Sequence, residues 1–106
     1  TGHLGELYFR YAKQLLSLDD KEAVYGKAQD WFKRSGTAAA SSPKIRDAYF
    51  VKAAEAYYSE ADELSNTSRL AEAEKAANDG LKIAPEGSAI AKKLTDLLPQ
   101  IKAVKR

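Results

Sequence analysis

Apolar residues recur every three or four positions along most of this chain, and nowhere do they alternate with polar ones for more than a few residues. A spacing of three to four lays one stripe along one face of an α-helix, whereas strict alternation marks a strand. Prolines stand only at Pro43, Pro85 and Pro99, and the good helix formers Ala, Leu, Glu and Lys dominate the rest. The chain is therefore expected to be all-α, with about five antiparallel helices. Its 106 residues, 44% of them hydrophobic, suit one domain that buries roughly 65% of its unfolded surface. No apolar run approaches the ~18 residues of a membrane span. Methionine is absent even at position 1. The chain is thus expected to be part of a longer precursor, and the compartment stays open.

The stripes and breakers divide the chain. A first helix is expected over 4–18, its inward stripe being Leu4, Leu7, Tyr8, Tyr11 and Leu15. Asp19 and Glu22 have capping-box spacing and open a second helix over 20–34, with Val24, Ala28, Trp31 and Phe32 apolar and Gly36 as its stop. So short a connection makes 1–36 a helical hairpin. Trp31 is expected to be buried, at a cost of ~3–5 kcal/mol for Trp31→Ala. Small residues make 37–42 a loop. Ser42 before Pro43 is a strong helix start, a hydroxyl cap followed by proline at the first helical position. The helix it opens runs over 43–65 with two apolar faces, so it is expected to be the central one. Residues 65–68 favour caps and turns, a fourth helix follows over 68–83, and a fifth over 88–98. Pro99 either kinks that last helix or ends it, and 99–106 is expected to fray as a basic tail.

Residues 54–85 resemble one tetratricopeptide repeat, a pair of antiparallel helices in about 34 residues. Tyr57 takes the large aromatic place, Ala61 the small one and Leu64 the next large one. Ala73 takes the small place of the second helix and Pro85 the terminal proline, and Gly80 suits a close helix crossing. Glu60 departs from the usual leucine and Ala77 from a usual bulky residue. The resemblance implies stacked helical hairpins, with 43–98 forming a repeat-like hairpin plus a C-terminal capping helix. It also implies a non-catalytic module that binds a peptide or protein segment, as a scaffold or adaptor, in a groove lined by the first helix of each pair. The groove residues it points to are Glu55, Tyr58, Ser59, Asp62 and Asn66, joined by Lys92, Lys93 and Asp96. One subclass grips a C-terminal carboxylate with lysine and asparagine, but Tyr58 and Asp62 stand at those places, so no such clamp is expected. An acidic face with one aromatic suits a basic or mixed segment with an apolar anchor. The alternative is a structural or accessory helical bundle with no peptide groove.

The sequence offers little to catalysis or cofactors. Cysteine is absent and His3 is the sole histidine, which removes disulfides, thiolate chemistry and Cys- or His-rich metal sites. The six glycines form no phosphate loop, and no Ca²⁺-loop pattern occurs. Glu55, Asp62 and Glu63 fall near one another on the central helix, where carboxylates normally face solvent. Asn66-Thr67-Ser68 is a glycosylation sequon. The net charge of +2 conceals a pattern: 1–53 has 9 basic and 6 acidic residues, 54–84 has 3 and 7, and 85–106 has 5 and 2. A nucleic-acid footprint would be one continuous basic stripe. The nearest approach, Lys33, Arg34, Lys44 and Arg46 with Lys27 and Lys52, is interrupted by Asp30 and Asp47. It reads better as a solvated face. A protein or peptide is thus the expected partner; no cofactor or metal is expected, and no oligomeric state follows.

Overall fold

The computed structural model describes residues 2–14, 18–38 and 41–105, with side chains for all of these except 2–5, 13, 18–20, 22, 104 and 105. Five α-helices follow in order: α1 (Gly2–Gln14), α2 (Leu18–Ala38), α3 (Pro43–Asn66), α4 (Leu70–Ile83) and α5 (Ala89–Lys105). There is no strand among the described residues. Each helix packs on the next and α3 also touches α5. Neighbours run antiparallel: Lys21, early in α2, meets Glu63, late in α3, while Lys33 meets Tyr57 nearer the middle. The Cα atoms fill 44 × 30 × 15 Å. With helices packing ~10 Å apart, a 15 Å thickness is two helix layers.

The main core lies between α3, α4 and α5, where the chain supplies alanines on two helices and larger side chains on the third. Ala54, Ala61 and Leu64 of α3 meet Ala73, Ala76 and Ala77 of α4, and α5 fills the space with Ile90, Leu94, Leu97 and Ile101. Small residues let backbones approach. At Gly80 a Cβ would lie 3.0 Å from both Tyr57 Cβ and Leu94 Cδ1. A second, smaller cluster of Ala28, Phe32 and Ala53 joins α2 to α3, with Tyr8, Phe9, Tyr49 and Ile83 packed around it.

Helix ends mostly follow local chemistry. Pro43 opens α3 as expected, but Ser42 makes no side-chain cap; its carbonyl instead accepts from Arg46 N–H at 2.9 Å. The α3 C-terminus closes with Arg69 N–H donating to the Leu64 carbonyl and Ser68 N–H to that of Ser65. This is a Schellman turn, and Ser68 occupies its left-handed position at φ 65°. Ser88 caps α5, its Oγ accepting from Ala91 N–H at 3.3 Å.

Five more expectations change. Gly36 is no helix stop: α2 continues to Ala38, and Gly36 lies inside it because a Cβ there would meet the Phe50 ring at 2.9 Å. Asp19 stands inside α2 rather than before it, and the side chains of the Asp19–Glu22 capping pair lie outside the described residues. On α1 the inward face is Tyr8, Phe9 and Ala12, while Leu7 and Tyr11 are exposed; Leu4 and Leu15 lie outside the described side chains. The buried aromatics of α2 are Phe32 and Tyr25, whereas Trp31 is half-buried with the Arg34 guanidinium 5.4 Å from its ring. Finally, α5 passes through Pro99 to Lys105. Proline inside a helix removes one backbone bond, and the full burial of Ile101 in the main core offsets that loss.

Candidate peptide-binding cleft

Helix α3 is not buried all round. Its long face toward neither α2 nor α4 carries Glu55, Asp62 and Asn66, which are exposed, and Tyr58 and Ser59, which are half-buried. The odd-numbered helices meet over this face. A cleft of about 340 Å³ is lined by Phe9 of α1, by Glu55, Tyr58 and Ser59 of α3, and by Ile90 and Lys93 of α5. A second cleft of about 230 Å³ adjoins it through Phe9 and Glu55, and adds Glu6, Arg10, Phe32 and Lys52. The two clefts thus adjoin at Phe9 and Glu55. An ion pair between Lys52 and Glu6 ties α3 to α1 beside the second cleft.

Four of the eight candidate groove residues therefore share one cleft: Glu55, Tyr58, Ser59 and Lys93. The other four do not line it. Asp62 and Asn66 are exposed further along α3, and Lys92 and Asp96 are exposed on α5. Tyr58 packs one side against the core of α3, α4 and α5 and turns the other to the cleft. Glu6, Phe9, Arg10, Phe32, Lys52 and Ile90 are the lining residues of the two clefts that sequence reasoning left out. A signal for Phe9 existed, since Tyr8, Phe9 and Ala12 form an alternative stripe on α1.

The three carboxylates of α3 weighed for acid–base chemistry face different surroundings. Glu55 opens to the cleft, Asp62 is exposed, and Glu63 turns toward α2. There Glu63 accepts from Tyr25 Oη at 2.5 Å and pairs with Lys21. Tyr25 is 1% exposed, and its hydroxyl is held well above the usual tyrosine range. Burial is the main cause, followed by the hydrogen bond to Glu63 and the negative charges of Glu63, Glu60 and Asp62. Two further links continue along the seam: Gln29 Nε2 donates to Glu60 Oε1 at 3.2 Å, and Lys33 Nζ donates to Tyr57 Oη at 3.0 Å. Glu60 is thus an acceptor for the buried Gln29.

The basic residues considered for nucleic acid are largely engaged. Lys33 bonds Tyr57, Arg34 pairs with Asp30, and Arg46 with Asp47. Among the described residues no group of acidic or histidine side chains is arranged to hold a metal ion, and no helix is long and apolar enough to cross a membrane. Comparison with known proteins found no matching family, no matching curated protein and no matching solved structure.

Proposed function

We propose that this chain is a non-catalytic protein–protein interaction module of tetratricopeptide-like design, which holds a peptide or protein segment across α1, α3 and α5 as part of a scaffold or adaptor. The observation that carries this reading is the lining of the 340 Å³ cleft, which comes from the first helices of the two hairpins, α1 and α3, and from α5, and from no other. In a stack of helical hairpins those first helices form the concave, ligand-facing layer. The cleft combines two aromatic side chains and Ile90 with Glu55 and Lys93, so it favours a mixed-charge segment with an apolar anchor.

A competing reading is a structural helical domain with no ligand. It draws on the position of α3, which touches α2, α4 and α5 and could act as a strut. One experiment separates the two. Affinity capture from the source lysate, with mass spectrometry at low and moderate salt, is expected to return a protein partner. Glu55→Lys combined with Lys93→Glu should reduce that capture several-fold and leave the helical circular dichroism unchanged, because both side chains line the cleft and are exposed. Unaltered capture by the double variant would sink the cleft assignment, and no capture at all would favour the structural domain.

A further inference from the structure

We propose that the two adjoining clefts form one track for an extended peptide whose charges run acidic, basic, acidic, with an apolar residue beside the basic one. This rests on the binding reading above and adds the chemistry of the ligand. Arg10 lines the track at its α1 end, Glu55 lies in both clefts at its centre, and Lys93 lines it at its α5 end. All three are exposed, and none has an ion-pair partner among the described residues. The other two charges of the second cleft, Lys52 and Glu6, neutralise each other. The track thus presents positive, negative, positive in order across three helices.

Spacing sets the register of the ligand. Helix α5 packs on α3, and the Lys52–Glu6 ion pair holds α1 beside it; helices this close lie ~10 Å apart, and an extended chain advances ~3.3 Å per residue. Successive ligand charges then fall about three residues apart. Between them Phe9, which both clefts share, and Tyr58 offer aromatic faces, with Ile90 as a buried apolar floor. A leucine-sized side chain next to the central basic residue would meet all three. Opposite charges placed in register fix the orientation and alignment of a segment more than they raise its affinity, so this surface selects order.

The test uses a fluorescein-labelled nonapeptide with glutamate at its second and eighth places, arginine at its fifth, leucine at its sixth and serine elsewhere. Its control is a scramble of identical composition with the glutamates adjacent and the arginine terminal. Fluorescence anisotropy is expected to show about tenfold tighter binding of the ordered peptide. That gap should close between about 0.1 M and about 1 M salt, as the screening length falls from about 10 Å to about 3 Å. Glu55→Lys should abolish the preference, and a peptide with glutamate at the fifth place should restore binding to that variant. If the ordered and scrambled peptides bind alike and the Glu55→Lys, Lys93→Glu protein loses both, the charge order is overturned while the cleft reading stands. If neither peptide binds, the charge order is again overturned, and the cleft reading is then judged separately by capture of the natural partner.

Discussion

Helix α3 is held on its two long sides by different chemistry. Toward α4 and α5 it buries Ala54, Ala61 and Leu64 against alanines, leucines and isoleucines. Toward α2 a small apolar cluster around Phe32 sits beside a ladder of polar links: Lys21 and Tyr25 to Glu63, Gln29 to Glu60, and Lys33 to Tyr57. The ladder has a helical rhythm. Residues 21, 25, 29 and 33 stand four apart on α2, and 57, 60 and 63 stand three apart on α3, so each set lies on one face. An apolar seam is non-directional and tolerates small shifts. A polar seam holds only while each donor keeps its acceptor, because an abandoned buried group costs more than its bond contributed. The hairpin of α1 and α2 is therefore docked in one register, while α3, α4 and α5 form the body it docks onto.

The largest effect should come from the apolar side. Leu94 is fully buried and touches the position where a Gly80 Cβ would stand. Leu94→Ala should destabilise the fold by about 3–4 kcal/mol, read by urea denaturation. A loss under about 1 kcal/mol would mean that α5 is an appendage and not part of the core.

A middle-sized effect should come from the ladder. Glu63→Ala leaves Lys21, whose side chain is 16% exposed, and the buried Tyr25 hydroxyl without their shared acceptor. The expected cost is about 2 kcal/mol. It should be localised, with amide hydrogen exchange rising in α1 and α2 more than in α4 and α5. Uniform acceleration across all five helices would erase the distinction between the two seams.

Much of this arrangement was legible in the sequence because it follows from local signals. Helix number and order came from periodicity, the start at Pro43 from a proline suited to the first helical position, and the close crossing at Gly80 from a glycine that lets helices approach. Periodicity identifies stripes but not which of two stripes faces inward. Hence Leu7 and Tyr11 were expected inside α1, where Phe9 and Ala12 are, and Trp31 was expected inside α2, where its neighbour Phe32 is. Gly36 looked like a stop because its partner, the Phe50 ring, lies on the next helix and leaves no trace nearby in the chain. The cleft was half legible for the same reason. Glu55, Tyr58 and Ser59 share a face of one helix, but Phe9 and Ile90 reach them only through the packing of α1 and α5. The ladder did leave one mark, the charged Glu60 at a place where the repeat it resembles usually has leucine, and its meaning became clear only with Gln29 opposite.

The smallest effect at neutral pH should be the most diagnostic of the polar seam. Tyr25→Phe keeps the ring packed edge-on to Phe9, 6.0 Å between centroids, and removes only the hydroxyl that donates to Glu63. The loss should be about 1–2 kcal/mol near pH 7. Folding raises the affinity of this hydroxyl for its proton. The stability it contributes is therefore complete below the unfolded tyrosine value of about 10 and declines as pH rises from there toward the folded value. In that window the unfolded chain gives up the Tyr25 proton and the folded chain keeps it, so the parent protein should lose about 1.4 kcal/mol per pH unit from this one group. Every other titrating side chain is common to both proteins. The difference between parent and Tyr25→Phe should thus stay flat from pH 7 to about 9.5 and shrink above about 10, so that the variant overtakes the parent in alkali. A difference that stays constant to pH 11 would show that Tyr25 ionises as freely in the fold as out of it. The α2–α3 seam would then owe its hold to Phe32 and its apolar neighbours, and the two sides of α3 would be alike.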